Sequence, residues 1–291
     1  VTAERSAPLI VGFAIVAVSF AAILIRLCTA PTAVIAAYRL WFSSLMLLPV
    51  FVLKGKGCSV TPRQVVFCSI AGAFLSLHFL LWIESLSLTT VANSVVLVTT
   101  SPVFGAVFAW LFLRERIGRR TLVAIILCVA GSLIIGRRGA SLGAENLRGD
   151  VYAILGAAAF GAQFVVARSV RRTMGLLEYV FITYTASALI LIAVALLRGD
   201  SLTGLGSANY LWLFLLALGP QVFGHSSLNW ALKYLAAPKV AVSILGEPVG
   251  SAILAWLFFS EVPGYGLFIG GALILCGVYL ALTERRPRVA S

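Results

Sequence analysis

Acidic residues are scarce in this chain: 10 Asp and Glu stand against 22 Lys and Arg in 291 residues, and the four types together make up only 11%. Soluble domains carry about 25%, so too few charges are present to cover a water-facing surface. Alternating apolar segments are missing as well. The apolar runs are unbroken and about 20 residues long, which argues against a transmembrane β-barrel and for membrane-spanning helices. The five cysteines, Cys28, Cys58, Cys68, Cys128 and Cys276, lack metal-ligand spacing and lie mostly inside apolar runs. They read as small buried hydrophobes, and no metal is expected. A P-loop, an HExxH helix and a nucleophile elbow are all lacking, and the Gly204-x-Gly206 pair sits in a loop and is too short to count. Neither an enzyme nor a cofactor is predicted. The first apolar run has no cationic start and no evident cleavage site, so no signal peptide is expected.

What is present is apolar: 61% of the residues are hydrophobic. They fall into ten runs, near 8–29, 32–53, 63–85, 90–113, 119–136, 149–170, 177–197, 208–232, 238–259 and 263–283. The predicted fold class is an all-α membrane protein of ten transmembrane helices joined by short connections. A net charge of +12 would suggest nucleic acid in a soluble protein. Here the basic residues sit between apolar runs, which fits an orientation signal and contact with anionic membrane lipid, and no nucleic-acid partner.

One stretch occurs twice. Ser101–Glu115 reads SPVFGAVFAWLFLRE, and 146 residues later Glu247–Glu261 reads EPVGSAILAWLFFSE, identical at eight of 15 positions. Pro102/Pro248, Trp110/Trp256 and Glu115/Glu261 match without gaps, and the offset continues to Gly131/Gly277. More weakly, Phe20 to Ile23 lie over Ala162 to Val165 at an offset of 142, and Tyr38 falls on Tyr184 at 146. The chain thus divides into residues 1–140 and 141–291, five spans each, with a seam around Arg137 to Arg148. With the N-terminus inside, 16 of the 22 Lys and Arg lie on the inner side and 5 on the outer, Arg39 being within a span. The positive-inside rule then places both termini in the cytoplasm, and the cell inner (plasma) membrane is the expected location. An odd number of spans per half means that the halves insert in opposite senses, as an inverted repeat.

Ionisable and polar groups inside spans are costly and mark function. Glu247 precedes Pro248 in the ninth span, where the proline is expected to kink the helix and leave the Ile244 carbonyl free; Pro102 would do the same for Val98. Glu247 is a candidate to receive an ammonium group or a proton, or else a buried neutral acid. Its counterpart Ser101 is neutral, so the halves are not chemically alike. Ser243, Glu247 and Ser251 share one face at spacing four, as do Gln221, His225 and Asn229, then Phe74, His78 and Trp82, then Asn93, Leu97 and Ser101. Four such faces predict a central polar and aromatic cavity, although any single Ser is more readily an interhelical hydrogen bond. Phe20, Tyr38, Phe160, Gln163, Tyr184 and Trp230 are further candidate lining residues. Arg39 either snorkels outward or holds a substrate carboxylate bidentately. Glu115 and Glu261, beside Gly118 and Gly264, read as turn-forming. Gly266, Gly270 and Gly277 permit close approach of the fifth span or of a second copy; a monomer suffices, and a dimer stays open.

Segments Trp82–Ile135 and Asn229–Leu282 resemble, twice over, the EamA domain of the drug/metabolite transporter superfamily: a small-residue helix, then Pro, a Glu-bearing turn and a Gly-containing helix. That resemblance implies exporters of small metabolites working by alternating access between inverted halves, and within the superfamily the chain is most similar to bacterial amino-acid exporters of the YddG type. It departs from the short multidrug members, which depend on a Glu in the first span; neither Val11 to Arg26 nor Ala153 to Arg168 contains an acid. The expected function is export of amino acids, apolar or aromatic ones included, with drugs or other amphipathic metabolites as the alternative and a non-transporting scaffold behind both.

Overall fold

The computed structural model describes residues 2–54, 60–88, 94, 97–98, 100–114, 118–136, 144–260 and 265–283. Every regular element among them is helical: α1 (Thr2–Leu27), α2 (Thr32–Lys54), α3 (Pro62–Leu88), α4 (Ser101–Leu113), α5 (Arg119–Gly136), α6 (Ala144–Arg171), α7 (Leu176–Leu197), α8 (Ser207–Ala231), α9 (Ala237–Ser243, Ile244–Gly246 and Glu247–Phe259) and α10 (Tyr265–Thr283). Seven of these helices, α1, α2, α3 and α6 to α9, are long and apolar enough to cross a membrane, and Ser101–Leu113 and Phe268–Thr283 are shorter apolar helices. The protein is therefore a multi-pass membrane protein. α3 runs on to Leu88 and α6 begins at Ala144, both longer than the apolar runs alone suggest.

Local chemistry sets several helix ends. α3 opens on a capping box: the Thr61 N–H donates to Gln64 Oε1 at 2.9 Å and the Gln64 N–H to Thr61 Oγ1 at 3.3 Å, with Pro62 at the first helical position. α4 ends at Arg114 and α9 at Ser260, the two non-glycine residues with positive φ among those described (53° and 56°). They stand at the same 146-residue offset as the repeat, so both copies end their helix in the same left-handed residue. Asn93, Glu115, Glu261 and Gly264 lie outside the described residues.

The prolines act differently from expectation. α4 starts at Ser101, so Pro102 occupies the first turn of a new helix, where its missing N–H costs nothing, and it does not kink a continuous one. At Pro248 the chain tightens into a 3-10 turn over Ile244–Gly246, and the Glu247 N–H donates to the Ile244 carbonyl. That carbonyl is bonded, not free. The shorter ring closes one residue earlier and replaces the bond that proline cannot make.

Helix packing follows a pattern with an exchange symmetry. α3 lies on α6 and α8 on α1; α4 lies on α6 and α9 on α1; α3 meets α7 and α8 meets α2; α2 pairs with α7 and α5 with α10. Replacing each helix of α1–α5 by its counterpart in α6–α10, and the reverse, leaves this set unchanged. Between apolar helices in lipid the hydrophobic effect gives no drive, so small residues that allow close contact decide the pairing. A Cβ on Gly131 would sit 2.5 Å from the Gly270 carbonyl, and one on Gly277 would sit 2.5 Å from Cys128 Sγ. Gly266 likewise faces the Ile134 carbonyl. These glycines serve the α5–α10 seam. The repeated tryptophans, Trp110 and Trp256, are 61% and 50% exposed and belong to the outer surface, not the core.

Candidate functional site

The site begins with a change of winding in α8. Pro220 has no N–H to place on the carbonyl four residues back, and Ala217–His225 winds as a π-helix that closes with the Ser226 N–H on the Gln221 carbonyl. π segments are rare and cluster at functional sites. The wider turn puts Gln221 and His225 in the bundle interior, both buried. Two neighbours clamp the segment: Ser43 Oγ of α2 donates to the Ala217 carbonyl at 3.1 Å, and Tyr184 OH of α7 lies 3.1 Å from Ser226 Oγ.

Arg39 of α2 points into this segment and is 0% exposed, so it does not snorkel. Its Nε donates to Gln221 Oε1 at 2.7 Å, and its guanidinium carbon stands 4.1 Å from the centre of the Phe79 ring. A desolvated cation–π contact is worth about 2 kcal/mol, which offsets part of the burial. Both terminal nitrogens of Arg39 are buried without a hydrogen-bond partner among the described residues, as are Gln221 Nε2 and Asn229 Oδ1. Among the described residues, Glu247 of α9 acts electrostatically on Arg39; it is half-buried at the start of the helical piece after the 3-10 turn. A guanidinium with its Nε taken and its two Nη groups free has the geometry of a bidentate carboxylate receptor.

Beside the cation lies an aromatic shelf. His78 stacks on Phe160 (centroids 4.2 Å, 13°) and, farther off, on Trp82 (6.0 Å, 8°), and its Nδ1 is 3.0 Å from the Gly156 carbonyl. His225 meets Phe79 at 5.5 Å and Phe160 at 5.6 Å. Trp82 Nε1 is buried without a hydrogen-bond partner among the described residues. α3 and α6 approach closely enough for this because Gly156 lies against the backbone of His78 and Trp82.

The structure thus brings together His78, Trp82, Phe160, His225, Tyr184, Asn229 and Glu247 around Arg39 and Gln221. Other candidates go elsewhere. Phe20 is 36% exposed and stays outside the cluster. Tyr38 OH donates to the Leu202 carbonyl at 2.7 Å, with its ring on Phe42 and Tyr210. Trp230 packs on Tyr234 at 4.7 Å. Gln163 donates to Tyr179 OH at 3.1 Å, and Ser101 is buried in the first turn of α4. Phe74, grouped by spacing with His78, lines a separate groove. Ser251 Oγ donates to the Ser19 carbonyl at 2.9 Å and Ser243 Oγ to the Lys239 carbonyl at 2.8 Å, both plain packing bonds. Sequence reasoning missed Phe79 and the effect of Pro220. A mid-span Gly219-Pro220 pair was a readable signal for the second; spacing offers none for the first.

Comparison with known proteins agrees with this architecture. The pattern of the EamA-like transporter family matches residues 7–137 and again 147–283. Human solute carrier family 35 member G1 is 26% identical over 256 residues, covering 82% of this chain and 68% of its own. The pseudopaline exporter CntI of Pseudomonas aeruginosa is 28% identical over 251 residues, covering 85% and 84%. An uncharacterized transporter of Archaeoglobus fulgidus is 26% identical over 263 residues, covering 86% and 88%. Among solved structures, one crystal structure matches with a TM-score of 0.80 at 20% identity, covering 95% of this chain and 96% of that one, which speaks to the fold. Transporters, not enzymes, make up this company, and with the family pattern spanning nearly the whole sequence the chain belongs to the EamA-like transporter family.

Proposed function

We propose that this transporter exports small carboxylate-bearing metabolites, amino acids above all, across the cell inner membrane by alternating access. The observation that carries the reading is Arg39: a fully buried guanidinium, held by Gln221 and Phe79, with both Nη groups unpartnered among the described residues. A substrate carboxylate would take those two donors, with Gln221 Nε2 beside them. Glu247 would receive the ammonium group, and His78, Trp82, Phe160 and Phe79 would accept the side chain. Flat aromatic faces tolerate varied apolar groups, which favours the YddG-like amino-acid reading over a single-substrate one. The rings of His78 and His225 add further flat surface to that shelf.

The same proposal takes the molecule as ten spans in two inverted halves, residues 1–140 and 141–291, with both termini cytoplasmic. The exchange symmetry of the packing and the Arg114/Ser260 pair support it. The halves would rock about the central cluster. A relative named as an exporter supports the outward direction. With no nucleotide motif in the sequence, an ion gradient or the substrate's own gradient would supply the energy.

The test is counterflow of labelled threonine, methionine and phenylalanine into proteoliposomes, with and without a pH gradient. Uptake of at least one is expected. Accumulation driven by the gradient would assign proton coupling, and equilibration indifferent to it a facilitator. No uptake of any of the three by folded protein would overturn the amino-acid assignment.

A further inference from the structure

A cavity of about 1150 Å³ lies on the other side of the α3–α6 pair, walled by α3, α4 and α6. It is distinct from the central cluster: α3 turns His78 and Trp82 to the cluster but Phe74, Leu77 and Leu81 to this groove. Its polarity runs in one direction. Thr61, Arg63 and Gln64 stand at one end, and Leu81 and Leu155 at the other. From Arg63 to Leu81 the helix rises by roughly 27 Å, longer than an acyl chain that fills one leaflet, about half of a ~30 Å hydrocarbon core. The capping box ties the Thr61 and Gln64 side chains to the helix backbone. Arg63 is exposed, lies 5.8 Å over the Phe67 ring, and is the charged side chain of the lining. Arg114, next to the lining residue Leu113, is exposed at the same end of α4.

We propose that this groove is a site for an anionic phospholipid, with one acyl chain along Phe67, Phe74 and Leu81 and the phosphate at Arg63. Length, the gradient from cationic to apolar, and the α3 face turned away from the transport cluster all suit that occupant. A lipid without a phosphate would leave Arg63 unanswered, a choline headgroup would bring a second cation to it, and a polar solute would leave the apolar floor bare. The proposal does not depend on the identity of the transported substrate.

The test uses the full-length protein in detergent micelles, offered equal amounts of phosphatidylglycerol and phosphatidylcholine and read by native mass spectrometry. One retained phosphatidylglycerol per chain is expected. Arg63→Gln should lower retention about five-fold, the scale of one basic residue at an anionic lipid surface. Ala162→Trp, which fills the groove and spares Arg63, should abolish it. Leu77→Trp serves if that variant does not elute as a folded monodisperse species. Equal retention of both lipids, or undiminished retention by Arg63→Gln, would overturn the proposal. So would displacement of the lipid by glycerol 3-phosphate alone, which would mark a headgroup site without a chain, or by a transported amino acid, which would make the groove part of the substrate path.

Discussion

An arginine in the middle of an apolar bundle costs about 2.5–3.5 kcal/mol on insertion scales, and at Arg39 the surroundings answer only part of it. Gln221 satisfies Nε and Phe79 covers the face, while the two terminal nitrogens have no partner among the described residues. Gln221→Leu would leave Nε orphaned as well, a loss of about 1–3 kcal/mol, and should lower the melting temperature by several degrees in a thermal-shift assay. At the surface the opposite change is expected from Ser260→Gly. Ser260 sits at φ 56°, a left-handed geometry that costs an L-residue about 1–2 kcal/mol, so glycine should raise the melting temperature. An unchanged or lower value would contradict that geometry. The residue scale was also where the sequence was least legible. Position along a span locates Arg39 in depth, but the face it occupies depends on which helices α2 meets, so snorkelling and a cavity role were equally open. Repeat matching points to Phe20 and Tyr38, yet one is exposed and the other bonds the Leu202 carbonyl.

At the scale of elements, three prolines in apolar runs give three outcomes. Pro102 begins a helix, Pro248 follows a 3-10 turn, and Pro220 lies within a π segment. Each removes the same N–H; the neighbouring helices decide whether the ladder is broken, shortened or lengthened. That is why the apolar runs located the helices while their winding stayed hidden. Pro220→Ala restores the donor for an α-helical bond and should draw Gln221 out of register with Arg39. Transport in the counterflow assay should fall at least ten-fold while the melting temperature is kept or raised. Full transport by this variant would show that the π segment has no part in the site. The α5–α10 seam makes a contrasting prediction. Gly131→Leu forces a side chain into the Gly270 backbone, overpacking that costs about 1–3 kcal/mol, and should lower thermal stability.

For the whole molecule, the 146-residue offset was the most legible feature, because Pro, Trp and Glu repeated without gaps survive any doubt about span ends. The offset returns in the structure as Arg114/Ser260 and Gly131/Gly277. Orientation rests on basic residues alone and makes its own prediction. In a cysteine-free background, Thr173→Cys should react with an impermeant maleimide only from the cytoplasm and Ser201→Cys only from outside. At the same end of the bundle as Ser201, Glu84 accepts from Thr32 Oγ1 at 2.7 Å and from Arg198 at 2.9 Å, joining α2 and α3 to the end of α7. Glu84→Gln should loosen this latch and speed outside labelling of a cysteine placed at His225.

The central claim is that Arg39 receives a carboxylate, and the most direct measurement is competition in phenylalanine counterflow by phenylalaninamide and by 3-phenylpropionate, with wild type and Arg39→Gln. In the wild type the acid should compete and the amide should not. Arg39→Gln, folded by gel filtration, should lose uptake at least ten-fold. Equal competition by the amide, or undiminished uptake by Arg39→Gln, would contradict it.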